Sequence, residues 1–155
     1  MEVPFINFEP MHSEIRDEII EAFKRVYDRN WFILGPSVDD FEKDFSKYCN
    51  TEYCISCGCG LDALCLILRG YDIGVGDEVI LPSNTYIATA LAVSSVGAKV
   101  VLVEPNIKTF NIDVNKIEEA ITKRTKAIIA VHLYGRPIDA DKVRVLCEKD
   151  RKSVV

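Results

Sequence analysis

Between Tyr53 and Leu68 the chain reads Tyr-Cys-Ile-Ser-Cys-Gly-Cys-Gly-Leu-Asp-Ala-Leu-Cys-Leu-Ile-Leu, and two chemistries are open to it. Gly58 and Gly60 stand between a short apolar run and an apolar-periodic segment. A turn of this kind lets the backbone pass close to a bound group, and the free N–H groups of the helix's first turn meet that group with the positive end of the helix dipole. The chemistry is anion binding, with a phosphate as the expected occupant. The second possibility is thiol chemistry: five of the six cysteines fall within positions 49–65, and Cys49-x4-Cys54-x2-Cys57 matches the opening of a plant-type iron–sulfur run. Cys54 lies in a predicted strand, Cys57 and Cys59 in the turn and Cys65 on the helix, so their side chains alternate in direction and do not converge on one metal. The expectation is thiols packed in the core or lining the turn, with no metal site.

Regular alternation of elements positions that turn. Ile15, Ile19, Ala22, Phe23 and Val26 recur at helical spacing within 11–29, and the apolar loop Trp31–Pro36 follows. Ser37 is the expected N-cap of a second helix that shows Val38, Phe41, Phe45 and Tyr48 on one face and ends near Asn50. Strands are predicted over Glu52–Ser56, Glu78–Leu81, Lys99–Val103 and Lys126–Val131. Helices are predicted over Leu61–Arg69, Thr85–Val96, Asp113–Ala120 and Asp139–Lys149, with Ile138, Val143 and Leu146 facing inward. Lys99–Val103 is a continuous β-branched run of the kind buried on both faces of a parallel sheet. The pattern is α/β, with a mostly parallel sheet and flanking helices. Ser153-Val154-Val155 is expected to open one further strand, as though a longer sequence had been cut.

Composition narrows the function classes. The chain has 155 residues, 48% hydrophobic and 28% charged, with a net charge of −5. No Lys/Arg run is present to neutralise a polynucleotide backbone, so a nucleic-acid partner is not expected. No apolar run approaches the roughly 20 residues that span a bilayer, and the start Met-Glu-Val-Pro-Phe does not read as a secretory leader. A cytoplasmic protein with reduced thiols and no membrane partner is expected.

Three further segments carry a resemblance. Gly60-Leu61-Asp62-Ala63-Leu64, Pro82-Ser83-Asn84-Thr85-Tyr86-Ile87-Ala88-Thr89, and Thr122-x-Arg-Thr-Lys-Ala-Ile with Val131-His132-Leu133-Tyr134-Gly135 stand in family-like order. Together they resemble the DegT/DnrJ/StrS family of pyridoxal 5'-phosphate (PLP) enzymes, which put an amino group onto nucleotide-linked keto-sugars. The likeness runs from Phe5 nearly to the C-terminus. Within the family, Gly60–Leu64 is most similar to the branch acting on dTDP-linked 3-keto-6-deoxyhexoses. The resemblance implies the N-terminal part of the large domain of the aspartate aminotransferase fold (fold type I). On that reading 1–155 is a single partial domain, with leading helices in 1–50 and the first part of the PLP-binding α/β domain in 51–155.

The same resemblance implies that Cys59, Gly60 and Leu61 hold the cofactor's phosphate through backbone N–H groups, and that Tyr86 stacks on the pyridine ring. Where the family commonly has Ser-Gly-Thr this chain has Cys59-Gly60-Leu61, so a hydroxyl contact is missing while the backbone contacts survive. His132 and Tyr134 fall at the same sheet edge and receive no catalytic role. In the family the acid facing the pyridine nitrogen and the lysine that joins the cofactor both come after the point matching Val155. Lys123, Lys126 and Lys142 match positions without a catalytic role, so no catalytic residue is assigned. The resemblance therefore implies a truncated aminotransferase, inactive alone, whose full-length form would use glutamate and a nucleotide-sugar as a homodimer. Two other readings stand beside it: a non-catalytic dimerisation or binding module derived from the family, and a thiol or metal protein using Cys49–Cys65.

Overall fold

The computed structural model describes residues 4, 6–150 and 153–154, which divide between two units, Met1–Ser56 and Cys57–Val155. In the first unit α1 (Glu9–Glu14) carries Pro10 in its first turn, where a missing N–H costs nothing. Ile15 leaves helical geometry and α2 (Arg16–Arg29) follows, so the helix expected over 11–29 is two helices. Just before the break the Ser13 hydroxyl donates to the Pro10 carbonyl at 3.1 Å. Asn30 ends α2 in the left-handed region at φ 53°, which asparagine tolerates.

Gly35, not Ser37, caps α3 (Pro36–Cys49), and Pro36 holds its first position. Gly35 has φ 92°, and a Cβ there would sit 2.6 Å from the Trp31 ring, whose Nε1 donates to the Ile33 carbonyl at 2.9 Å. Residues 52–56, expected as a strand, have no strand neighbour among the described residues. The N–H of Ser56 turns instead to the Glu42 carboxylate at 2.7 Å. An apolar run becomes a strand only where another strand supplies its hydrogen bonds. No described residue of this unit is buried. The stripes Ile19, Phe23, Tyr27 on α2 and Phe41, Phe45, Tyr48 on α3 are exposed.

The second unit is built on a parallel sheet. It opens with α4 (Gly60–Gly70), followed by β1 (Glu78–Pro82), α5 (Ile87–Ser95), β2 (Lys99–Val103), α6 (Val114–Ala120), β3 (Thr125–Ile128), α7 (Ala140–Asp150) and β4 (Ser153–Val154). Strand order is β2-β1-β3-β4 and every pairing is parallel. Alternate residues of the strands feed two cores. Val79, Leu81, Ala127 and Ile129 pack with Leu68 of α4 and with Ala92 and Val93 of α5. Ile80, Val103 and Ile128 pack with Ile117 of α6 and with Val143 and Cys147 of α7. The β1-to-β2 connection covers one face and the β2-to-β3 connection, running the other way, covers the opposite face. This keeps the crossovers of one hand.

Most predicted elements appear within a residue or two, and β4 begins where Ser153 was expected to open a strand; Val155 lies outside the described residues. The helix expected over Thr85–Val96 is trimmed to Ile87–Ser95, and Tyr86 becomes its cap. Ile138, Val143 and Leu146 all reach the second core. β2 has the expected bounds but not the expected burial, since its β-branched run suggested burial on both faces. Only Val103 is buried, and Lys99 and Leu102 are exposed, because no described strand flanks β2 on its outer side.

β1 is buried along its whole length, and its first residue is the acid Glu78, 2% exposed. Its carboxylate accepts from the Thr122 hydroxyl at 2.6 Å, Arg124 Nη2 at 2.7 Å and Lys99 Nζ at 3.2 Å. These partners belong to β2 and to the turn before β3, so one carboxylate ties three neighbours at the N-terminal edge of the sheet. The Thr122 hydroxyl first, then Lys99 and Arg124, hold its carboxyl below the ordinary glutamate range against the opposing effect of burial. Folded Glu78 therefore stays ionised to lower pH than unfolded Glu78. Its contribution is complete above the ordinary value of about 4.3 and is lost as pH falls through the folded value. Glu78→Gln is expected to lower the melting temperature at neutral pH and to flatten the acid limb of the stability curve, followed by circular dichroism. In the first unit, Gly35→Ala is expected to displace Trp31, the sole tryptophan, and to red-shift its fluorescence.

Candidate functional site

The first turn of α4 leaves donors unused. Cys59 caps the helix in extended geometry, φ −164° and ψ 174°, and its side chain makes no capping bond. The first bond within the helix runs from Ala63 N–H to the Cys59 carbonyl at 3.0 Å. The N–H groups of Gly60, Leu61 and Asp62 lie ahead of that bond and have no partner among the described residues. A Cβ at Gly60 would meet nothing within 4 Å, so the space before the turn is open. Gly58 differs: a Cβ there would sit 2.6 Å from Asp62 Oδ2. The Asp62 carboxylate thus folds back over Gly58 at the rim of the turn. Sequence reasoning assigned nothing to Gly58 and Asp62 beyond the turn and the family segment. The available signal was an acid at the third helical position, where it complements the dipole.

Topology places this turn at the same sheet edge as Tyr86. α4 leads through Ile73 and Gly74 to the start of β1, so its C-terminus lies at the N-terminal edge of the sheet. Its 11 residues at about 1.5 Å each cover about the length of the 5-residue β1 at about 3.3 Å each. The free N–H groups therefore lie at the C-terminal edge. α5 runs the same way on the same face, and Tyr86 caps its start with the side chain 78% exposed. Cys65 Sγ meets Ser95 Oγ at 3.0 Å between the two helices. Asn84 Nδ2 donates to the Phe110 carbonyl at 2.9 Å, joining the loops after β1 and β2.

Between β1 and β3 the chain's connections leave to opposite faces. Such a switch point is where open α/β sheets bind ligands, outside the C-terminal strand ends. Tyr86 stands on the β1 side of it, and the segment after β3 carries His132 and Tyr134 on the other. His132 Nδ1 accepts from Ile138 N–H at 3.2 Å, so in the neutral ring Nε2 carries the proton. Tyr134 is 91% exposed and holds φ 53°, an uncommon conformation for an aromatic residue.

The cysteines do not gather. Cys57 and Cys59 are exposed at the turn, with Cys57 Sγ donating to the Cys59 carbonyl at 3.4 Å, while Cys65 is half-buried and Cys147 buried. Cys49 and Cys54 belong to the first unit. Among the described residues no three His, Cys, Asp or Glu side chains come together as a metal site. No helix among them is long and apolar enough to cross a membrane.

Comparison with known proteins gives the same direction as the geometry. The model of the DegT/DnrJ/EryC1/StrS aminotransferase family matches residues 13–155. A dTDP-3-amino-3,6-dideoxy-alpha-D-galactopyranose transaminase of Aneurinibacillus thermoaerophilus is 52% identical over 153 residues, covering 99% of this chain and 42% of that protein. The crystal structure of DesV from S. venezuelae superposes with a TM-score of 0.92 at 45% identity, covering 98% of this chain and 41% of DesV. The structure of NtdA from Bacillus subtilis with bound cofactor PMP gives a TM-score of 0.91 at 36% identity, covering 99% and 35%. The chain thus spans about two-fifths of the length of such relatives, with an α/β fold shared by aminotransferases of known structure. A family match that runs over residues 13–155, nearly the whole chain, means that the chain belongs to the DegT/DnrJ/EryC1/StrS aminotransferase family.

Proposed function

We propose that residues 1–155 form the N-terminal portion of a PLP-dependent aminotransferase acting on a nucleotide-linked keto-sugar, of the dTDP-3-keto-6-deoxyhexose class, with glutamate as amino donor. The observation that carries the proposal is the set of three unpartnered N–H groups at Gly60, Leu61 and Asp62, at the sheet edge where Tyr86 stands. The residues present fit a phosphate. Cys59 turns the chain, and Gly60 leaves open space before the donors. Backbone N–H groups supply the hydrogen bonds whatever the side chains are. The Asp62 carboxylate at the rim opposes a second negative charge and is expected to swing away from Gly58 on binding. An aromatic face at Tyr86 adds about 0.5–1.5 kcal/mol of stacking on a flat ring.

PLP, when bound, acts as electron sink and amino carrier. This chain's part is to seat the phosphate and to hold the ring in one plane. The proton transfers of an amino exchange need a lysine and an acid against the pyridine nitrogen, which we assign to residues after 155. Homodimer assembly of the full-length enzyme is proposed with it, and the exposed apolar stripes of α2 and α3, which need a cover to leave water, support that assembly. A cytoplasmic location is proposed with it.

Gly60→Pro tests the seat. Proline is tolerated at the first helical position and the extended Cys59 suits a following proline, so the substitution deletes one donor and spares the helix. PLP binding, followed by the amide shifts of Leu61 and Asp62, is expected to weaken about tenfold, the worth of one charge-assisted hydrogen bond. Equal affinity in the variant would remove the backbone cradle. The 155-residue chain with PLP is also expected to show no lysine-linked chromophore after borohydride treatment and no turnover of glutamate with a keto-sugar.

A further inference from the structure

Tyr86 holds its ring at the sheet edge without side-chain support. The side chain is 78% exposed and has no hydrogen-bond or ring partner among the described residues. Its place is therefore set by the main chain of the short turn between β1 and α5. In that turn Ser83 N–H donates to the Val103 carbonyl at 2.9 Å, which extends the pairing of β1 with β2, and Thr85 N–H donates to the Pro82 carbonyl at 3.4 Å. The Thr85 and Thr89 hydroxyls meet at 2.9 Å. The last two bonds are local and tie the turn to nothing outside it.

Asn84 reaches further. Its Nδ2 donates to the Phe110 carbonyl at 2.9 Å, 26 residues along the chain, and that acceptor fixes which end of the amide is nitrogen. The acceptor is itself held. Phe110 has φ 59°, a left-handed conformation that a non-glycine residue keeps only where its surroundings over-determine it. Its N–H donates to the Asn106 carbonyl at 2.8 Å, and Asn106 N–H donates to the Asn111 carbonyl at 2.9 Å. Buried Asn111 in turn donates through Nδ2 to the carbonyls of Arg136 and Pro137, both at 3.0 Å. Two asparagine amides thus join the segment after β1 to the segment after β2, and that segment to the one after β3. The chain of bonds links the two sides of the switch point, with Tyr86 next to its first member.

We propose that Asn84 is a positioning residue for Tyr86: its amide clamps the turn onto the β2–α6 connection and fixes where the aromatic face stands against a flat ligand. The identity of that ligand rests on the cofactor reading, whereas the clamp is a property of the free chain. A short side chain ending in a donor is what the bond requires. Aspartate would set an acceptor against the Phe110 carbonyl, and alanine would leave that carbonyl to water.

The test has two arms, both on the 155-residue chain. The first is ¹⁵N relaxation without ligand. In Asn84→Ala, a change at an exposed position, the order parameters of the Thr85 and Tyr86 amides are expected to fall from about 0.85 to below about 0.6, while those of β1 and α5 hold. Asn84→Asp, which keeps the side-chain size, is expected to do the same. The second arm is PLP binding, read from the Leu61 and Asp62 amide shifts. Affinity is expected to weaken about threefold in Asn84→Ala and about fivefold in Tyr86→Ala, with the double variant no weaker than Tyr86→Ala alone. Unchanged order at Thr85 and Tyr86 would overturn the clamp whatever the ligand does. So would a fall spread through β1 and α5, which marks a general structural role, or losses that multiply in the double variant. A parent chain whose Leu61 and Asp62 amides ignore PLP would sink the cofactor reading, and the order parameters would still decide the clamp.

Discussion

Burial of β1 on both faces is the constraint on which the second unit depends. A strand with every residue buried must find partners for its main chain on both sides and apolar cover above and below. β2 and β3 supply the first, and the two helix layers supply the second. The cost of beginning such a strand with an acid is met at one point, where Thr122, Lys99 and Arg124 converge on Glu78. A buried carboxylate is a poor source of net stability compared with an apolar replacement, but removing its partners strands a charge. The cluster therefore fixes where the strands start more than how strongly they hold. Against β2 the register runs unbroken from the Glu78–Lys99 pair, whereas against β3 it shifts by one residue directly after Glu78–Thr125, so that Val79 pairs with Ala127.

Once the strands are fixed in that register, the position of the donors at the other edge follows. Helices that return a parallel strand to its start must run against it, so their N-termini gather at the C-terminal edge. α4 and α5 lie on one face and obey this together. The free N–H groups of α4 and the Tyr86 cap of α5 are thus brought to one edge by topology, with no direct bond between them. The acid at Glu78 and the donors at Gly60 sit at opposite ends of the same layer, one fixing register and the other left open.

The legible parts of the chain were those where local chemistry and tertiary context agree. α4 and β1, and the turn between Cys59 and Leu61, could be read because glycine, apolar period and β-branched runs all point one way. Three features were hidden for physical reasons. Residues 52–56 carry strand-like residues and lack a partner strand among the described residues, which no local pattern reveals. β2 has the composition of a central strand and stands at an edge, because strand order is decided by crossovers and not by composition. Ile15 leaves helical geometry inside a periodic stretch, a break that apolar periodicity does not register because the apolar face continues across it. The tie from Asn111 Nδ2 to the Arg136 carbonyl at 3.0 Å was illegible for another reason, since it joins two loops about 25 residues apart whose approach is set by the sheet.

Cys59 and Leu61 depart from the Ser and Thr common in the family pattern, and the geometry says how much that matters. A hydroxyl at either position would add one side-chain contact to an anion, whereas the three N–H groups are obligatory features of any helix start. Replacing Thr by Leu changes what the side chain does without changing the donors, and here Leu61 turns its side chain into the first core beside Leu64 and Cys65. That packing anchors the first turn at the mouth of the site. The substitution exchanges a side-chain hydroxyl for rigidity of the backbone that carries the free donors, so the anion binding proposed for the turn would rest on main chain held in place by apolar packing.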